Sequence, residues 1–461
     1  MKKIFALLVS LFTAVILFGQ TNLPSTLSKD TILTKANSPY LVSDNMTVNS
    51  GVTLKIEAGV TLKFGSMAKI TVSGTLIAEG TQTDSIYFKS NIPGEQWDKI
   101  ANNGADLIEM HYVNTTDNIM FVFGHNGNTF VFSHCKIFSA ARGNGEDCIA
   151  IEYAKKVIIE YCTLKGTGGT IAEGIKNDAI DIDACDSCFI SFSHIYCFSD
   201  DAIDIGTNTK YAYIHDNILH NTNFGASIGE STRAYLVNNI SCYNNGGFQV
   251  HTGAIIYFEN NTLFANTVGI EAFHSGEGVD KQTGGTAIVK NTIFSNSTDK
   301  DIYSQTSSLI DISYSISDKD SLPGNNNLKA DPMLNDPENG DFSLKTGSPC
   351  MKAGIDSLGN KIDMGALLPV QSFDPVRNTL AVIQLKIYPN PTCDYVTIST
   401  AEISEKSNLI MLYDITGKVI LKREMTQAGN SLDVRSLPAG IYLIKVVLSD
   451  NSSAAAKFIK R

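Results

Sequence analysis

Basic residues, tryptophan and long apolar runs are all scarce in this chain. Lys and Arg number 36 against 47 Asp and Glu, a formal net charge of −11. That balance excludes nucleic acid and anionic membrane as partners and leaves cation-dependent surfaces open. One apolar run stands out, Ile4 to Phe18, behind Lys2 and Lys3 and ahead of Gly19 and Gln20. It is short for a spanning helix and no second one follows, so residues 1–20 read as a secretory signal. The single tryptophan, Trp97, is expected in a cap or in the core. Nine cysteines are an odd number for an exported chain, so at least one thiol stays free if the rest pair. Cys185 and Cys188 have the spacing of a zinc knuckle, but no second pair follows. Burial or a local bridge is the expectation there.

The most pointed absence is local. Between Asn177 and Thr209 stand seven carboxylates and no Lys or Arg. The same segment says one thing twice, NDAIDID from Asn177 and DDAIDIG from Asp200, an offset of 23 residues. Side chains alternate between the faces of a strand, so Ile180 and Ile182 point one way and Asp181 and Asp183 the other. An offset in the low twenties with unchanged phase is the mark of coil stacked on coil. Stacking sets Asp178 beside Asp201 and Asp181 beside Asp204. Continuing the phase gives the inward positions Ala226, Phe248 and Ile270. The outward neighbours then run Asp181, Asp204, Ser227, Gln249, Glu271, and a second column runs Asp183, Gly206, Gly229, His251, Phe273. The coil before contributes Glu146 and Asp147.

The repeat extends well beyond this pair. FVFSHCKIF, IIEYCTLKG, ISFSHIYCF, YIHDNILHN, LVNNISCYN, YFENNTLFA and IVKNTIFSN share a strand followed by a small polar residue two places before an aliphatic one. Those polar positions are Cys135, Cys162, Ser193, Asp216, Asn238, Asn261 and Asn291, which suit a ladder of side chains bonding from coil to coil. Residues 38–90 are short β-branched runs broken by Gly and Asn. Their GVTLKIEAGVTLKF resembles the opening turns of exported parallel β-helices. GDFSLKTGSPC followed by DMGA resembles the closing segment of bacterial β-helix proteins. The expected fold is therefore all-β: a right-handed parallel β-helix over 21–370, its hand taken from the rule for parallel crossovers, a linker at 371–384, and a small C-terminal β-sandwich over 385–461.

That tail resembles the type A sorting domain of the type IX secretion system of Bacteroidetes. The resemblance rests on YPNP at 388–391, LYDITGK at 412–418, LPAGIYLIK at 437–445 and the basic end KFIKR. It implies the secretion machinery as a partner and a secreted or outer-membrane surface location.

Two ionised carboxylates one coil apart, about 4.8 Å, repel by roughly 3.5 kcal/mol at an effective dielectric near 20, and by under about 1 kcal/mol if fully wet. Asp178, Asp181, Asp200, Asp201 and Asp204 therefore call for a cation, protonation or hydration. Calcium suits them best, because they offer oxygens on a rigid frame and only His194 as a nearby nitrogen. A solvated turn with diverging charges is the bland alternative.

DDAID resembles the calcium motif of one class of pectate lyases, but Gln249 in NGGFQ stands where that class has its catalytic lysine. NDAID, DD at 200–201, FGASIG at 224–229 and QVH at 249–251 resemble the polygalacturonase family. There Asp178, Asp200 and Asp201 would align with the catalytic acids, Phe224 with a histidine, and Gln249 and His251 with an Arg and a Lys. For a lyase, the base candidates are His251, His274, Lys210 and Arg233, with His251 best placed on the strip. Gln249, Glu271, Arg233 and Lys210 are the expected substrate contacts. The resulting expectation is a monomeric protein acting on polysaccharide or a cell-surface glycan, possessing either calcium-dependent lyase or hydrolase activity. The alternative is a non-catalytic adhesin or glycan-binding scaffold, favoured by the missing lysine and arginine.

Overall fold

The computed structural model describes residues 20–139, 145–166, 176–274, 283–368, 385–399, 408–414, 418–425, 430–447 and 453–461. The proposed signal and linker segments, save Gln20, lie outside these. Strands of three to six residues recur along the chain, and each pairs with the third strand before it and the third after it. The result is a parallel β-helix with three long sheets of 14, 12 and 12 strands. One coil contributes one strand to each sheet.

Alternation within the strands explains why the coil closes on itself. In Ile180–Asp183 the two isoleucines are fully buried, while Asp181 and Asp183 stay partly accessible. Ile203, Ala226, Phe248 and Ile270, the positions in phase with Ile180, are likewise fully buried. They belong to one core that runs along the helix from Leu27 to Ile312. Trp97 is part of it, stacked on Phe64 with ring centroids 4.3 Å apart and donating its indole N–H to the Thr116 carbonyl at 2.8 Å. At roughly 1.5–3 kcal/mol per large buried side chain, this shared core outweighs any single turn. All nine cysteines are free thiols, and Cys185 and Cys188 are both buried, so no local bridge joins them.

The polar ladder sits one residue later than its expected positions in three of the later coils. The bonded column is Cys162, Ser193, Asn217, Asn239, Asn261. Ser193 Oγ accepts the Cys162 N–H at 3.1 Å, and Asn217 Oδ1 accepts that of Ser193 at 2.9 Å. Asn239 and Asn261 repeat the contact at 3.1 and 2.8 Å. Asp216, Asn238 and Asn291, the positions expected for the ladder, instead hold the left-handed turn before it, with φ of 57°, 58° and 53°. Asp and Asn tolerate positive φ better than other side chains, so both positions of each pair carry the same residue types.

After Lys329 the chain folds into two short antiparallel pairs, Leu334–Asp336 with Asp341–Leu344 and Gly354–Ile355 with Lys361–Ile362. Phe342, Cys350 and Met364 from this segment pack on Ile240, Phe264, Ile293 and Ile316, the outer face of the first sheet. The C-terminal strands form separate antiparallel sheets of three and four strands around Val396, Ile398, Ile410, Leu412, Ile444 and Phe458.

The ladder gives a direct test of the corrected register. Asn239 Nδ2 also donates to the Ile214 carbonyl at 2.9 Å, and the residue is fully buried. Asn239→Ala strands buried donors and acceptors and should cost about 2–4 kcal/mol in urea unfolding. Asn245→Ala, at an exposed amide, should cost under about 1 kcal/mol.

Candidate functional site: an acidic strip on the second sheet

The strip is made by register. Asp181 pairs with Asp204, Asp204 with Ser227, Ser227 with Gln249, and Gln249 with Glu271. This is the expected column, and Tyr303 continues it past Glu271. In the adjacent column Glu152 pairs with Asp183, Asp183 with Gly206, and His251 with Phe273. Seven of the named residues, from Asp181 to His251, thus share one outer face.

Just before these strands, the turn backbone gathers a second set. One carboxylate oxygen from each of Asp178, Asp200 and Asp201 lies within 4.8 Å of the others. Backbone and amide donors hold these groups. Asp178 Oδ1 accepts the Asp201 N–H at 2.6 Å, while the Asp178 N–H donates to Asp147 Oδ1 at 2.8 Å. Asp201 Oδ1 accepts the Phe224 N–H at 3.0 Å. Asn223 donates through Nδ2 to Asp200 Oδ1 at 2.9 Å and to Asp201 Oδ1 at 3.3 Å.

Burial raises every carboxyl pKa in this group, and repulsion by neighbouring carboxylates adds to it at all but Asp200. Burial is the larger cause throughout, since it penalises the charged form. Asp178 and Asp201 are held well above the ordinary range, with Asp204 the first charge acting on each. Asp181 is pushed to about 9 by burial and Asp204, and Asp204 to about 7 by burial and Asp183. Asp147 and Asp183 rise by burial as well. Asp200 also rises, opposed by the Asn223 hydrogen bond and by the charge of Lys176.

His251 sits on the strip two coils beyond Asp204. Its ring stacks on Phe273 with centroids 5.3 Å apart, and Nδ1 meets Thr252 Oγ1 at 3.1 Å. Gly229 makes room for it: a Cβ there would stand 2.3 Å from the imidazole Cε1. Burial lowers the His251 pKa, which Glu230 partly offsets, so the ring is neutral at pH 7. Gln249 donates to Ser227 Oγ at 2.7 Å, and Ser227 hydrogen-bonds Asp204.

Two expected contacts lie elsewhere. Arg233 opens the strand Arg233–Val237 in the third sheet, where its register partner is Ile255. Lys210 lies in the turn that leads to the third sheet and pairs with Asp186 at 2.5 Å. The coil turns between sheets at these points, which carries both side chains off the strip. His274, just past the strand Val268–Phe273, is exposed beyond its end.

Two participants were missed. Asn223 lies 23 residues after Asp200, so the repeat offset would have found it. Lys176 stands one residue before the acidic segment, just outside the window that held no base. Phe224, aligned with a catalytic histidine by resemblance, is buried and contributes only its N–H.

Comparison with known proteins adds three findings. Residues 386–461 match the secretion system C-terminal sorting domain. The protein bark beetle of Drosophila melanogaster is 43% identical over 61 residues, 13% of this chain and 2% of that protein. An endo-acting ulvan lyase of Formosa agariphila is 28% identical over 95 residues, 20% of this chain and 18% of the lyase. The chain thus spans less than a fifth of the length of either relative.

Removing residues 385–461 should leave the β-helix folded, because the sorting strands have their own core. The truncated chain should stay in the periplasm, as cell fractionation would show; delivery to the surface would contradict an address function. The protein is a parallel β-helix that carries at 386–461 a C-terminal sorting domain of type IX secretion, and this tail directs it to the cell surface or the extracellular space.

Proposed function

We propose that this chain is a polysaccharide-active β-helix, a calcium-dependent lyase whose site is the acidic strip. One observation carries the reading: three carboxylates converge within 4.8 Å, oriented by backbone and amide donors. The donor set fits calcium, being all oxygen and fixed by coil stacking. The hydrogen bonds described above engage Oδ1 of Asp178, Asp200 and Asp201. Their Oδ2 atoms, with Asp204 and Asp181 alongside, would hold the ion.

When bound, calcium would supply acidification of the proton beside a uronate carboxyl and stabilisation of the resulting charge. The protein's own residues divide the remaining tasks. His251, neutral and on the same face, accepts that proton. Gly206, without a side chain, keeps the column open between Asp183 and His251. Gln249 and Glu271 line the strip and hydrogen-bond sugar hydroxyls. The ulvan lyase similarity is consistent with this class of chemistry. An inverting hydrolase is less well supported, because it needs carboxyl groups roughly 6.5–9.5 Å apart to admit a water.

A second reading, a glycan-binding scaffold without catalysis, is favoured by the absence of Arg233 and Lys210 from the strip. Product analysis separates the two. A lyase leaves an unsaturated product absorbing in the ultraviolet. His251→Ala should lower turnover about 100-fold or more while calcium still binds. Asp201→Asn should abolish turnover and weaken calcium binding at least tenfold. A scaffold gives no product, and His251→Ala then changes nothing.

Stability against pH provides an independent check. Asp181 and Asp204 titrate near 9 and 7 when folded but near 3.9 when unfolded. The folded state therefore binds more protons between these values, and stability falls as pH rises from about 4 to 9. Thermal melts without calcium should show that fall; saturating calcium should flatten it. Asp201→Asn should raise the metal-free melting temperature at pH 8. A metal-free melting temperature independent of pH would mean that the carboxylates are solvated.

A further inference from the structure

A second constellation lies away from the strip, on the outer face of the first sheet. The strands His194–Tyr196 and Ile218–His220 are neighbours there, with His194 opposite Ile218 and Tyr196 opposite His220. The two imidazoles lean together until their Nε2 atoms are 2.7 Å apart. Tyr196 completes a three-ring stack, 5.0 Å from His220 at an interplanar angle of 5° and 4.6 Å from His194. His220 is only 5% exposed and Tyr196 6%. The Tyr196 hydroxyl is buried without a hydrogen-bond partner among the described residues.

We propose that His194 and His220 chelate a divalent transition-metal ion of the Zn2+, Cu2+ or Ni2+ class, joining two successive coils. Two imidazole nitrogens bound cis at roughly 2.0–2.1 Å stand roughly 2.9–3.4 Å apart, so the pair needs to open by only a few tenths of an ångström. Borderline ions of this class prefer imidazole nitrogen, whereas calcium prefers the oxygens of the strip. Burial holds His194 at about 4 and His220 at about 3, so neither ring carries a competing proton at pH 7. Asn221 Nδ2 lies 2.9 Å from His220 Nδ1. Turned so that its oxygen accepts the Nδ1 proton, that amide leaves the His220 Nε2 lone pair for the metal. His194 reaches the same state by moving its proton from Nε2 to Nδ1, with no net proton released.

The unpartnered Tyr196 hydroxyl is an additional oxygen in the same stack. Lys165 Nζ, from the preceding coil, lies 5.8 Å from the Tyr196 ring. This site does not depend on the lyase reading.

Calorimetry on the untagged full chain, with calcium present to occupy the strip, would test it using Zn2+, Cu2+ and Ni2+ in turn. One equivalent of at least one ion should bind. His194→Asn and His220→Asn should each weaken binding at least tenfold, Asn221→Ala roughly tenfold, and Asp201→Asn not at all. Unchanged far-ultraviolet circular dichroism and cooperative thermal melting would show that the variants fold. Electron paramagnetic resonance of the Cu2+-loaded wild type should show coupling to two imidazole nitrogens, a reading that needs no variant. Binding of none of the three ions, binding unaffected by both histidine substitutions, or a copper signal without nitrogen coupling would overturn the proposal.

Discussion

The structure depends on one constraint: backbone hydrogen bonds stack each coil in register on the last, about 4.8 Å away. Whatever residue type occupies a column is then brought against its own kind. For Ile180 and Ile203 that builds core. For Asn217, Asn239 and Asn261 it builds a ladder in which each amide satisfies the coil before. For Asp181 and Asp204 it forces two carboxylates together at a partly buried face. An acidic pair in this position is unfavourable unless something compensates, and that is why the strip reads as a site rather than as decoration.

Much of this was legible because the spacing of columns follows directly from the offset of 23 residues between NDAIDID and DDAIDIG. The phase carried without error through Ser227, Gln249 and Glu271, since period-two alternation leaves no intermediate choice. The ladder was harder to read. Asp216-Asn217 and Asn238-Asn239 offer two polar residues in succession, and one-residue left-handed turns accept the same types as the ladder. Only the bonding partners distinguish them. Arg233 and Lys210 illustrate a different limit: sequence distance does not say which of three sheets a residue joins.

The geometry also explains why the missing lysine need not remove function. Where the pectate lyase resemblance would place a base, Gln249 instead bonds Ser227, which in turn bonds Asp204. The face also carries the neutral imidazole of His251, seated over Gly229 and stacked on Phe273. Proton acceptance would shift by two residues along one strand and remain on the same face. The sorting tail, with its own core, supplies the route outward and stands apart from this chemistry.

The central claim is that the converging carboxylates form a cation site. A crystal grown or soaked with calcium, measured for anomalous scattering, tests it most directly. The account predicts a peak at about 2.3–2.6 Å from carboxylate oxygens of Asp178, Asp200 and Asp201. Water alone at that position, with the three carboxylates turned apart, would contradict it.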